Sequence, residues 1–118
     1  MKTTITRHIE DYIVHPETAN QAYELEEGNP FVFAKSYCEG CEILQRQIAS
    51  NGDKLADLLE KSGHRLVWIV MHDPEFRERY HVQLKGYKIS MLPAFGIYNN
   101  RELHDVKAHP DYYGLLDA

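Results

Sequence analysis

Apolar and polar positions along the chain switch between two rhythms. Thr3 to Ile9 alternates and predicts a first strand, and after His15-Pro16 the stretch Glu17 to Glu27 takes helical spacing. Ala19, Ala22 and Tyr23 fall on the inner face of that helix, Gly28 ends it, and the acidic run Glu24 to Glu27 reads as its solvated side. Pro30 to Ala34 is a short β-rich apolar run bounded by Asn29 and by Lys35-Ser36, which predicts a strand buried on both faces. From Cys41 onward, Ile43, Leu44, Ile48, Leu55, Leu58 and Leu59 recur at helical spacing and predict one apolar stripe. Asn51-Gly52 interrupts it, Asp53 is placed to cap the second segment, and Ser62-Gly63 closes it.

Leu66 to Met71 shows no polar alternation and reads as the central strand, covered by helices on both faces. Asp73-Pro74 then starts a helix with Asp as cap, Phe76, Tyr80 and Leu84 give it a four-residue apolar spacing, and Gly86 stops it. Ala94 to Tyr98 and Glu102 to Val106 predict an antiparallel pair turned by Asn99-Asn100, and Pro110 to Leu116 a last short helix. The order β-α-β-α-β-α-β-β-α predicts an α/β sandwich with a mixed sheet. The 118 residues, 43% hydrophobic, suit a single domain spanning 1–118.

Composition narrows the function. The 13 basic against 18 acidic residues give a net charge of -5, with no basic run, so no nucleic-acid partner is expected. The longest apolar run is far below the roughly 20 residues that cross a bilayer, and the first thirty residues are polar at short intervals, so neither a membrane span nor a signal peptide is expected. Two cysteines three apart are too few for a disulfide framework, which points to a reducing, cytoplasmic compartment. Nothing in the composition asks for more than a monomer.

The chemistry lies in Cys38-Glu39-Gly40-Cys41, where a predicted strand runs into a predicted helix. A cysteine at a helix start sits among unpaired backbone N–H groups at the positive end of the helix dipole, which favours its thiolate. Cys38 is the expected nucleophile, and Cys41, one turn on and more buried, the resolving thiol that leaves a disulfide in the protein. Lys35 should lower the Cys38 pKa and Glu39 raise it, and their balance has no sign that the sequence can give. Half of a zinc site is the competing reading, but no histidine or acid stands at a recognisable ligand spacing, so no metal and no cofactor are expected.

The segment Phe31 to Cys41 resembles the strand and active-site turn of the thioredoxin superfamily, and its Ala34-Lys35-Ser36-Tyr37-Cys38 part is similar to glutaredoxins. Tyr87 to Asn100, with Met91-Leu92-Pro93, is similar to the thioredoxin stretch in which a cis-proline opens the fourth strand. The resemblance implies a thioredoxin fold, three layers α/β/α, and a cis Leu92-Pro93 bond. It also implies a substrate groove of Tyr37, Met91, Leu92 and Pro93 around Cys38, protein disulfides as substrates, and a thioredoxin reductase or glutathione as electron source.

The chain departs from that pattern in three places. Val32 stands where thioredoxins keep a buried aspartate, so the usual proton acceptor for the second cysteine is missing. The Thr-Val-Pro and Gly-Gly-x-Asp segments with which glutaredoxins hold glutathione are absent. His109, in the loop before the last predicted helix, is a candidate base near the dithiol, or else a surface histidine. Two alternatives to the protein-disulfide reductase stay open: a redox-independent binding module, and a glutathione-dependent carrier of glutaredoxin type.

Overall fold

Among the described residues, strand formation begins with two β-branched residues, Ile13–Val14 (β1), which pair in parallel with Leu66 and Val67. The structure, a computed structural model, describes residues 8–89 and 92–108. Ile9, expected at the end of the first strand, instead belongs to a 3-10 helix, Ile9–Tyr12, which leads directly into β1. Residues 3–7 of the expected strand, and the expected helix at 110–116, lie outside the described residues, and His8 is the cap of the 3-10 helix.

The first helix, α1, spans Ala19–Glu24 and is shorter than its sequence spacing suggests. Thr18 caps it, its Oγ1 accepting the Gln21 N–H at 3.2 Å. The chain leaves the helix before Glu26, and this sets aside the reading of Glu24 to Glu27 as one solvated face. Glu26 is 2% exposed, and its Oε1 accepts from Arg79 Nη2 at 2.8 Å, Arg79 Nε at 3.1 Å and the Tyr80 hydroxyl at 3.0 Å. A buried carboxylate needs such partners. Tyr23 is turned outward, partly exposed, with the Arg79 guanidinium 4.8 Å from its ring centroid.

β2 spans Pro30–Ala34 and β3 Leu66–Val70, both apolar and buried on both faces. They run parallel, Val32 beside Trp68 and Phe33 beside Ile69. The sheet order is β1-β3-β2-β4-β5, where β4 is Ala94–Asn99 and β5 Glu102–Ala108. The middle position therefore belongs to β2, and the Leu66 strand expected there lies one place out. Two strands apolar on both faces look alike in sequence, and what separates them is that β2 also receives β4 in antiparallel pairing. The β4–β5 turn falls one residue later than expected, on Asn100 and Arg101, both at positive φ (54° and 65°), with Asn99 paired to Glu102.

Between β2 and β3 lie two helices, α2 (Glu39–Ser50) and α3 (Gly52–Ser62). Asn51 is the α3 cap position and makes no side-chain cap bond, so Asp53 lies inside the helix rather than before it. The break also divides the expected stripe: Leu44, Ile48, Leu55 and Leu59 are buried, whereas Ile43 and Leu58 turn outward. Helix α4 spans Pro74–Gly86, with Asp73 Oδ1 accepting the Glu75 N–H at 2.9 Å.

Residue parity in the strands sorts the interior into two cores. Val32, Ala34, Leu66, Trp68 and Phe95 face α2 and α3, in one cluster with both cysteines. Phe31, Phe33, Val67, Ile69 and Tyr98 face α4, with Phe76, Tyr80 and Leu84. The result is an α/β sandwich of three layers around a mixed sheet.

Candidate active site

The polypeptide leaves β2 at Ala34 and turns through Lys35, Ser36 and Tyr37 before α2 begins. Tyr37 has φ 56° and is fully exposed, its ring standing in solvent beside the helix start. Cys38 follows as the cap residue in extended backbone, φ -117° and ψ 108°. Its Sγ takes the place of the usual capping oxygen and accepts the Cys41 N–H at 3.2 Å. A polarisable sulfur in this position is stabilised as an anion by the donors of the first turn.

Cys38 and Cys41 are joined as a disulfide, with Cα atoms 5.2 Å apart, inside the usual range of about 4.4–6.8 Å. Cys38 is 7% exposed and Cys41 2%, so the first sulfur is the more open of the two. On the other side of Cys38 stands the turn into β4. The Leu92-Pro93 bond is cis, and the Leu92 carbonyl oxygen lies 3.3 Å from Cys38 Sγ. In the dithiol state the Cys38 S–H can donate to that oxygen.

Of the residues singled out in sequence, Tyr37, Cys38, Cys41, Leu92 and Pro93 come together here. Lys35 is exposed on the approach to the helix, and Glu39 is exposed in its first turn. Met91 and His109 lie outside the described residues. Val32 is fully buried in the cluster that holds Cys41, and Glu26, on the opposite face of the sheet, is the one buried charged residue among the described residues. Among the described residues no group of three or more His, Cys, Asp or Glu is arranged to hold a metal ion, and no helix is long and apolar enough to cross a membrane.

Two hollows flank the dithiol. One, of about 310 Å³, is lined by Cys41, Trp68, Lys35, Glu42 and Gln45. The other, of about 520 Å³, opens between Leu92 and α4 and includes Lys35, Arg77, His81 and Lys85. Sequence reasoning did not single out the α4 residues of this second hollow. Their signal was a second four-residue spacing, Arg77, His81, Lys85, one position behind the apolar Phe76, Tyr80, Leu84.

No family model matches the sequence, and no curated protein matches it either. Solved structures do match in shape. Thioredoxin O2 of Arabidopsis thaliana in its oxidized state superposes with a TM-score of 0.65 at 10% identity, covering 94% of each chain. The germline-specific thioredoxin Deadhead of Drosophila melanogaster gives 0.64 at 17% identity over 88% of this chain and 93% of its own. A mutant thioredoxin of Halobacterium salinarum gives 0.62 at 14% identity over 91% and 87%. With the strand order, the cis-proline and the two-sided helical cover already described, these likenesses establish that the chain has the thioredoxin fold.

Proposed function

We propose that the chain is a thiol-disulfide oxidoreductase that reduces protein disulfides through Cys38 and Cys41. The observation that carries this reading is the cysteine pair at the start of α2, at bonding distance, with the Leu92 carbonyl 3.3 Å from the outer sulfur. In the reduced protein the Cys38 thiolate attacks one sulfur of a client disulfide. That S–S bond breaks, a mixed disulfide forms, and the departing client sulfur takes up a proton. Cys41 then loses its proton and attacks Cys38 Sγ, releasing the second client thiol and leaving the Cys38–Cys41 disulfide. Two electrons pass from protein to client, and the dithiol itself carries them, so the reaction calls for no bound cofactor.

The other parts of the reading follow from this step. Tyr37 and the backbone of Leu92-Pro93 form the ledge on which an extended client segment lies beside Cys38, a role extended to Met91. Lys35 and Glu39 act on the thiolate with opposite sign, and His109 is offered as a base. With Val32 in place of a buried acid, water or another group takes the proton of Cys41. The chain acts as one monomeric unit over 1–118 in the cytoplasm, and a thioredoxin reductase or glutathione restores the dithiol.

The test is reduction of insulin with dithiothreitol as electron source, with the Cys41→Ser variant run in parallel. The reading expects acceleration well above dithiothreitol alone, and a stable mixed disulfide through Cys38 in the variant. Equal rates with and without the protein reject it. A second reading, a thioredoxin-fold module that docks a partner without redox chemistry, is favoured by the apolar surroundings that Val32 gives Cys41. Under that reading the Cys38→Ser/Cys41→Ser protein retains its biological activity.

A further inference from the structure

The 520 Å³ hollow beside Leu92 has a composition at odds with the chain as a whole. The protein carries a net charge of -5, yet among the described residues the charged groups lining this hollow are Lys35, Arg77 and Lys85, with no carboxylate. Its floor is apolar, formed by Met71, Leu84 and Leu92. None of the three cations has an ion-pair partner among the described residues. Glu78, on the same helix, lines a neighbouring hollow that shares Arg77 and His81 but lies outside this one.

Position ties the hollow to the dithiol. Leu92 forms one end of it, and the carbonyl of Leu92 is 3.3 Å from Cys38 Sγ. Lys35, three residues before Cys38, forms part of the same wall. From there Arg77, His81 and Lys85 run along one face of α4. Eight residues of helix cover about 12 Å, the length of three to four residues of extended chain.

We propose that this hollow receives an acidic segment of the client protein next to its disulfide, so that the protein selects disulfides flanked by Asp or Glu and an apolar residue. The proposal rests on the redox reading above and names its substrate class. A short acidic stretch meets three cations, and its apolar neighbour meets Met71 and Leu84. Glutathione, with two carboxylates and one ammonium, shares part of this chemistry, and the experiment below separates it from an acidic protein segment.

The test uses two synthetic peptides with the same internal disulfide, one flanked by Glu and one by Gln, reduced by the protein with dithiothreitol as recycling reductant. At low salt kcat/KM favours the Glu peptide by about tenfold, and the ratio falls toward one at about 1 M salt, where exposed charges are screened. Arg77→Gln with Lys85→Gln brings the low-salt ratio to about one, and Arg77→Glu with Lys85→Glu shifts preference to a Lys-flanked peptide. Equal kcat/KM for the two peptides overturns the proposal, and so does a preference that survives the double substitution. A charge effect confined to a glutathione mixed disulfide overturns it as well. Binding of dye-labelled peptides to the Cys38→Ser/Cys41→Ser protein, read by fluorescence polarisation, keeps the two readings apart. If no peptide is reduced but the Glu peptide binds more tightly, the redox reading fails and the acidic-segment site stands.

Discussion

Glu26 ties the segment after α1 to two neighbouring side chains of α4. One of its oxygens accepts from the Arg79 guanidinium and from the Tyr80 hydroxyl, and Arg79 in turn lies over the rings of Tyr23 and Tyr80, 4.8 Å and 5.5 Å from their centroids. Glu26→Ala leaves the Tyr80 hydroxyl and the Arg79 guanidinium without their shared acceptor and is expected to cost about 3 kcal/mol. Tyr80→Phe removes one of three donors and is expected to cost about 1 kcal/mol. Urea denaturation of the two variants checks both the order and the spacing. A Glu26→Ala protein as stable as the wild type would show the cluster to be energetically idle. In sequence Glu26 could not be told from its acidic neighbours, because its partners are more than fifty residues away. Cys38 and Cys41 were legible, since both the motif and the strand-to-helix setting that gives it chemistry are local.

At the scale of elements, the β4–β5 ribbon contains a close approach at the irregularity between Phe95 and Ile97. Gly96 pairs with Phe31 in β2, and a Cβ placed on it would fall 2.5 Å from Leu103 Cδ1 and 2.7 Å from its Cγ. Leu103 is buried against the α4 core. Gly96→Ala must therefore push a packed side chain from its place, at an expected cost of about 1–3 kcal/mol. Combining it with Leu103→Ala, which alone costs about 2–5 kcal/mol, should give a loss smaller than the sum, because the second change makes the room that the first one needs. Thermal unfolding of the three variants measures this, and strict additivity would contradict the contact. Elements were readable wherever the signal was local: the unbroken apolar runs of β2 and β3, Asp73-Pro74 at the start of α4, the asparagines near the hairpin. What escaped was relational. The order of β2 and β3 depends on which of them receives β4, and the single stripe through 43–59 dissolved because Asn51-Gly52 starts a new helix. The basic stripe of α4 was hidden behind that helix's own apolar one, and its union with Lys35 exists only after folding.

Across the whole molecule, the sheet separates a core that holds the sulfurs from one that holds two buried phenols. Burial pushes the ionisation of Tyr80 and Tyr98 far above the ordinary tyrosine value, and the nearby Glu26 carboxylate adds to it. Below about pH 10 both tyrosines are protonated whether the chain is folded or not, and they contribute nothing to the pH dependence. Above it, the unfolded chain releases these protons while the folded one keeps them, so stability falls by about 1.4 kcal/mol per pH unit for each tyrosine. Denaturant titrations from pH 9 to 11.5 should show this decline, with a shallower slope in Tyr98→Phe. A flat profile would mean that neither phenol is shielded as the fold requires.

The core on the other side of the sheet contains the chain's single tryptophan, Trp68, which is 6% exposed and lines the same hollow as Cys41. An excited indole next to an S–S bond can pass an electron to it, and two separate thiols accept that electron poorly. The emission of Trp68 should therefore brighten when the pair is opened, giving the protein an internal gauge of its own oxidation state. Equilibration against a series of thiol buffers, followed at one wavelength and with no dye attached, would then yield the midpoint potential directly.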